Sequence, residues 1–99
     1  MPRLAELADR VITLVTEESD IPKEAILSKS RTAEVVDARH LAIKLLHSKD
    51  IYPSKIASLF NISTRCVNYA ITNFDCRVSQ NNVLRYSYET IKKKLKEDQ

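Results

Sequence analysis

Apolar residues recur along this chain at the three- and four-residue spacing of amphipathic helices, and no segment alternates as a half-buried strand does. The spacing predicts helices over roughly residues 3–18, 23–27, 33–48, 53–60, 63–74 and 81–96. The segment 33–48 is the most apolar, so we expect it at the centre of the core, and we expect residues 75–82 to form a polar connection. The chain therefore suits one domain over residues 1–99, an all-α, compact bundle of five or six helices.

Four residues are suited to the ends of these helices. Thr32 is a candidate N-cap for the helix at 33–48. Ser63 is a stronger candidate, for the helix that runs from there to about Phe74. Pro53 fits the first turn of a helix, where a missing backbone N–H is tolerated. Asn61 tolerates a left-handed backbone better than most residues, so we expect a tight turn at Asn61 and Ile62.

The stretch PSKIASLFNISTRCVNYAI, residues 53–71, has the pattern of a helix-turn-helix. Ala57 is small at the point where two helices would cross closely. Four apolar residues would anchor the pair in the core, namely Ile56, Ile62, Val67 and Ile71. The segment from Ser63 to Phe74 is then the recognition helix, which enters the major groove in proteins of this kind. A plain helical hairpin within a core is the alternative interpretation.

The outward face of the predicted recognition helix has side chains that suit DNA. It presents Thr64, Arg65, Asn68, Tyr69 and Thr72. Arginine pairs with guanine and asparagine with adenine, while threonine contacts phosphate or a thymine methyl. The free backbone amides near Ser63 suit a phosphate as well. No acidic residue lies between Ser63 and Phe74, which favours double-stranded DNA as the partner.

Charge is distributed unevenly along the chain, whose overall net charge is +3. Residues 1–27 have a net charge of −3, residues 28–74 of +4 and residues 75–99 of +2. The middle and the end are therefore the parts expected to face a polyanion. A polar loop, Ser28 to Thr32, contributes Lys29 and Arg31. The basic run near the C-terminus, residues 92–96, is either a solvated helix end or a secondary DNA contact.

Composition argues against several other functions. The chain has no glycine, which disfavours phosphate-binding loops, and its two cysteines lack zinc-ligand spacing. We expect Cys66 to pack as a small residue and both histidines, His40 and His47, to lie at the surface. No nucleophile–base motif can be assembled, so we expect no enzymatic activity, cofactor, metal or small-molecule substrate. Without a signal-peptide or membrane-spanning pattern, the expected location is the cytoplasm.

Three segments together resemble a known family. AILSKSR (25–31), VVDARHLAIKLL (35–46) and SKIASLFN (54–61) are similar to the C-terminal DNA-binding domain of the bacterial replication initiator DnaA, whose helix-turn-helix belongs to the superfamily of the Trp repressor. The resemblance covers roughly residues 5–95. It implies binding of double-stranded DNA at a replication origin or a regulatory site.

The resemblance also implies roles for individual residues. Arg31 corresponds to an arginine that the family's basic loop sends into the minor groove, and Lys29 lies beside it. Arg39 corresponds to the arginine early in the long helix, although an ion pair with Glu34, Asp37 or another acidic residue would explain it equally well. The recognition helix corresponds from Ser63 onward. For Tyr69, contact with the DNA backbone competes with packing against the first helix of the pair.

The sequence departs from the family at the start of the recognition helix. The family's signature is close to Gly-Gly-Arg-Asp-His-Thr-Thr-Val, whereas here Asn61 to Val67 is one residue shorter and lacks the Asp-His-Thr triad. Ala33 and Asp37 replace basic-loop arginines. We therefore expect a different preferred DNA sequence, and no ATPase domain within residues 1–99. The alternative function is a protein-interaction module that keeps the fold without strong DNA affinity.

Overall fold

Six α-helices make up most of the structure, a computed structural model that describes residues 4–97, and no strand occurs among those residues. The helices are α1 (Leu4–Ser19), α2 (Lys23–Ile26), α3 (Ala33–Ser48), α4 (Pro53–Phe60), α5 (Thr64–Gln80) and α6 (Asn82–Glu97). The predicted all-α bundle is confirmed, although the predicted start of the first helix at residue 3 lies outside the described residues. None of the described helices combines the length and the apolar character needed to cross a membrane.

Helix α3 is the centre of the bundle, as its sequence predicts. It packs against each of the other five helices. Six of its residues are buried, namely Ala38, Leu41, Ala42, Ile43, Leu45 and Leu46. Burial of aliphatic side chains is the main driving force that holds such a bundle together. Because the buried positions extend around much of α3, other helices can pack against it on more than one side.

The helix-turn-helix consists of α4, a turn at Asn61–Ser63, and α5. Asn61 has the left-handed backbone predicted for it, with φ 54° and ψ 47°. This conformation lets the Ile62 amide donate to the Ala57 carbonyl at 3.0 Å and closes α4. The Ser63 hydroxyl then accepts from the Cys66 amide at 3.2 Å, which confirms Ser63 as the N-cap of α5.

The four apolar residues predicted to anchor this pair, and Ala57 at the predicted helix crossing, lie in or against the core. Three of them are buried, Ile56, Ala57 and Val67, and two are partly buried and packed against the core, Ile62 and Ile71. The anchors therefore fix the angle at which α5 leaves the turn. The first turns of α5 therefore bury one side, which includes Val67 and Ala70, and expose the other side to solvent.

The prediction that α5 ends near Phe74 is wrong, because the helix continues to Gln80. Val78 extends the apolar stripe by one turn beyond Phe74 and packs against the core. Arg77 and Asp37 form an ion pair at 2.7 Å, and Asp75 lies 3.0 Å from the ammonium group of Lys44. Both pairs attach the C-terminal half of α5 to α3, so tertiary contacts keep a polar segment helical.

Two helix ends differ in detail from the sequence prediction. Thr32 occupies the N-cap position of α3, but its side chain forms no capping hydrogen bond. Its hydroxyl instead accepts from the Ser30 hydroxyl at 3.2 Å, within the loop that precedes α3. At the other end of α5, the Asn81 side chain accepts from the Leu84 amide at 3.0 Å and starts α6.

Candidate nucleic-acid interface

An open groove of about 580 Å³ separates the loop at residues 28–32 from the turn and the first residues of α5. Residues from five parts of the fold border it, namely Ser28, Lys29, Arg31, Arg39, His40, Ile43, Phe60, Asn61, Ile62, Ser63, Cys66, Tyr69 and Ala70. The turn at Asn61–Ser63 lies about thirty positions after the basic loop in sequence, but both border this surface. We call this surface the basic groove.

The predicted recognition face of α5 is solvent-exposed. Thr64, Arg65, Asn68, Tyr69 and Thr72 are all exposed, as is the N-cap Ser63. Thr64, Asn68 and Thr72 are spaced four residues apart, as are Arg65 and Tyr69, so the two sets lie side by side on the outward side of the helix. The first turn of α5 contains no acidic residue. This face therefore offers hydrogen-bond donors and acceptors and one positive charge, and it has no acidic side chain that would repel a phosphate.

Lys29 and Arg31 are exposed at the other side of the basic groove. Two serine hydroxyls order the loop locally. The Ser30 amide donates to the Ser28 hydroxyl at 3.1 Å, and the Thr32 amide donates to the Ser30 hydroxyl at 3.4 Å. The loop thus places two positive side chains next to the start of α5.

The ion pair considered for Arg39 is absent from the described part of the chain. Its guanidinium donates to backbone carbonyls instead: Nε to Ile26 at 2.9 Å, and Nη2 to Ser28 at 2.6 Å and Ser30 at 3.1 Å. Partial burial lowers the pKa of Arg39, yet arginine keeps its charge at neutral pH. Contact between Arg39 and DNA stays a prediction from the family resemblance.

The prediction that His40 lies at the surface is wrong. This α3 residue is half-buried where α3 packs against α5. Its Nδ1 lies 3.3 Å from the Asn73 side-chain nitrogen, which makes Nδ1 the acceptor of that hydrogen bond. Its ring meets the Tyr69 ring edge-on, with centroids 6.3 Å apart. The Tyr69 ring thus contacts α3 through His40 while Tyr69 remains 65% exposed. His47, by contrast, is exposed as predicted.

We expect the protein to lose stability as pH falls below about 6.5, the ordinary pKa of histidine. Burial lowers the pKa of His40; Arg39 lowers it further, Asp37 opposes this, and Arg77 also lowers it. As pH falls, His40 therefore takes up a proton in the unfolded chain before it does so in the folded protein. The free energy of unfolding is highest above the ordinary pKa of histidine and declines as pH falls towards the lower pKa of His40 in the folded protein. Urea unfolding of the wild-type protein from about pH 7.5 to about pH 5.5 measures the decline.

The substitution His40→Gln should flatten this pH dependence, since glutamine keeps hydrogen-bonding capacity without titrating. His47→Gln removes the exposed histidine and serves as the matched control, which should retain the wild-type decline. Equal pH dependence in the wild-type protein and the His40→Gln variant would show that burial of this ring does not set the decline.

Two further sequence expectations concern residues near or beyond the groove. Cys66 was expected to pack, but it is exposed in the first turn of α5 and borders the groove. The reason is its position one residue before the buried Val67, which turns Cys66 outward. The four lysines of the C-terminal run are exposed on α6 and do not border the groove, and Lys92 lies 5.5 Å from the Tyr88 ring centre.

Residues 8–73 match the family described as the bacterial DnaA protein helix-turn-helix. This match covers more than half of the chain and includes the loop, α4 and the first part of α5, up to residue 73. The chain belongs to the bacterial DnaA helix-turn-helix family. The chromosomal replication initiator proteins DnaA of two Leptospira biflexa serovar Patoc strains, Patoc 1 / Ames and Patoc 1 / Paris, are each 30% identical over 94 residues. The alignment covers 94% of this chain but 21% of each relative.

The DnaA resemblance inferred from three short segments is therefore confirmed. Sequence reasoning identified the exposed side chains of α5 and the loop, but it missed that Cys66 and His40 border the same groove. His40 follows Arg39 and lies three positions before the buried Ile43, a spacing that places it at the margin of the core-facing stripe. That spacing was the available signal for a half-buried position in this DnaA-family chain.

Proposed function

We propose that this chain binds double-stranded DNA, with the first turns of α5 in the major groove and the loop at residues 28–32 on the adjacent backbone or minor groove. The basic groove is the observation that carries this proposal. It brings Ser63, Cys66 and Tyr69 at the start of α5 to one surface with the exposed Lys29 and Arg31. Arg65 and Asn68 are exposed on the same turns of α5 but do not border the groove. A helix fits the major groove of B-DNA, and a flanking basic loop can then reach phosphates or the neighbouring groove.

Within this arrangement the residues divide into two roles. Arg65 and Asn68 lie on the outward face of α5 and suit base edges, since arginine pairs with guanine and asparagine with adenine. Ser63, Thr64 and Thr72 suit phosphates, together with the free amides at the helix start. Tyr69, held against His40 but largely exposed, suits the sugar–phosphate backbone.

The loop supplies the electrostatic part of the interface. Lys29 and Arg31 suit phosphates, and the DnaA resemblance assigns Arg31 to the minor groove. Phosphate contacts fix the orientation of a protein on DNA without reading its sequence. Replacing Arg31 with alanine should therefore weaken binding evenly across sequences, apart from a preference for a narrow minor groove.

The preferred DNA sequence is proposed to differ from the origin box of DnaA initiators. The turn before α5 is one residue shorter than the family signature, and the Asp-His-Thr triad is replaced by other donors and acceptors. The site is expected in a replication origin or a regulatory region, as suits a relative of replication initiators. Selection from a random duplex library would identify it directly.

We expect Arg65→Ala to lower affinity for the selected site by about 1–3 kcal/mol, the loss typical of a bidentate guanine contact. Affinity for random duplex should fall much less, so selectivity between the two drops. Lys93→Ala removes an exposed positive charge of α6 outside the basic groove and is the control, expected to leave selectivity unchanged. Binding titrations of each variant with both duplexes measure the difference.

Two results would contradict this specificity. One is enrichment of the initiator's origin box from the random library. The other is unchanged selectivity in Arg65→Ala. If no duplex binds even at low salt, the protein-interaction module becomes the better interpretation of the fold.

A further inference from the structure

The loop at residues 28–32 has few features that would hold it in one conformation. It contains no proline to restrict its backbone, and its local hydrogen bonds run through the side chains of Ser28 and Ser30. Both of its basic side chains are exposed. An exposed segment of this kind is expected to sample several conformations, at a cost in entropy when it binds.

Arg39 supplies what the loop lacks. Its Nε donates to the Ile26 carbonyl at 2.9 Å, and its Nη2 donates to the carbonyls of Ser28 at 2.6 Å and Ser30 at 3.1 Å. Within residues 4–97, every hydrogen bond that reaches this loop from more than four positions away comes from this guanidinium. Arg39 itself extends from α3, the central helix of the core.

We infer that Arg39 is a positioning residue, which holds the loop so that Lys29 and Arg31 face the DNA before binding. The inference rests on the proposed DNA-binding function. The two carbonyls bound by Nη2 lie on either side of Lys29, so the backbone curls towards the guanidinium while the basic side chains extend into solvent. The ordering cost of the loop is then met on folding rather than on binding.

The chemistry of the contact favours arginine over lysine. The planar guanidinium donates from two nitrogens in fixed directions, whereas an ammonium group is a single point with freely rotating donors. The third nitrogen, Nη1, has no hydrogen-bond partner among the described residues. A direct phosphate contact through Nη1 is therefore the competing role that the experiment has to separate.

We call the contacts of the Arg39 guanidinium with the carbonyls of Ile26, Ser28 and Ser30 the clamp. The substitution Arg39→Lys tests the clamp because it keeps the positive charge and removes the planar guanidinium. Arg77→Lys is the matched control, since Arg77 pairs with Asp37 on α3 and is not bonded to the loop. The first measurement is the backbone order parameter of residues 28–32 by NMR relaxation, without DNA. We expect about 0.8 in the wild-type protein and in Arg77→Lys, and below about 0.6 in Arg39→Lys.

The second measurement is a double-mutant cycle in duplex affinity. Arg39→Lys is combined with the pair Lys29→Ala and Arg31→Ala. If Arg39 acts through the loop, Arg39→Lys should weaken binding about tenfold in the wild-type background, the equivalent of about 1.4 kcal/mol, and hardly at all once the loop charges are gone. An equal loss in both backgrounds would mean that Arg39 meets the DNA itself, and would overturn the inference.

The order parameters also separate this inference from the proposed function. Loop order parameters below about 0.6 in the wild-type protein contradict the clamp, even if Arg39→Lys does not fold. A rigid loop in a protein that binds no duplex would leave the clamp in place and refute the DNA-binding proposal. Unchanged order in a folded Arg39→Lys variant would also overturn the clamp.

Discussion

Replacing Phe74 with alanine is expected to destabilise the protein by about 3–5 kcal/mol, the usual loss for a fully buried phenylalanine. Phe74 is 1% exposed and lies midway along α5, where its ring meets the Tyr88 ring of α6 edge-on at 5.4 Å between centroids. The substitution removes both the buried apolar area and the ring pair that joins the two helices. Because domains of this size are stable by about 5–15 kcal/mol, the loss is a large fraction of the total.

Chemical denaturation followed by circular dichroism measures this loss. Cys76→Ala, two positions further along the same helix but exposed, is the control and should change stability by less than about 0.5 kcal/mol. A loss below about 1.5 kcal/mol for Phe74→Ala would show that the C-terminal half of α5 contributes little to the core.

The bounds of a helix could be predicted from the sequence where the helix forms through its own apolar stripe. The predicted bounds 33–48 and 53–60 agree with α3 and α4. A strong 3.6-residue pattern marks α3, while Pro53 marks the start of α4 and Asn61 its end, and all of these signals are local in sequence. The end of α5 was not predictable in this way. Residues 75–80 are mostly polar, and their helix depends on Asp37 and Lys44, which lie far away in sequence.

The candidate interface shows the same division. Side chains on one face of α5 follow from helical spacing, so Arg65, Asn68 and Thr72 could be placed without a structure. The groove that Cys66 and Tyr69 share with the loop could not be predicted, since it depends on how α3 and α5 pack. Arg39 is the clearest case. The sequence left an ion pair with an acidic residue and a DNA contact equally open, whereas the guanidinium binds backbone carbonyls at the end of α2 and in the loop that follows it.

Affinity for duplex DNA is expected to fall steeply as salt concentration rises. Lys29, Arg31 and Arg65 are exposed around the proposed interface, and each phosphate that a basic side chain neutralises releases condensed counterions. With a few such contacts, the slope of log affinity against log salt concentration should lie between about −3 and −6. Raising salt from about 50 mM to about 200 mM would then weaken binding between about 60-fold and about 4,000-fold.

A salt titration of duplex binding, carried out on the wild-type protein and two variants, therefore tests the central claim most directly. The double substitution of Lys29 and Arg31 by alanine should make the slope shallower by about 2, while Lys93→Ala on α6 should leave it unchanged. That pair of results would locate the phosphate contacts at the basic groove. A slope near zero, absence of duplex binding at low salt, or an equal effect of Lys93→Ala would contradict DNA binding through this surface.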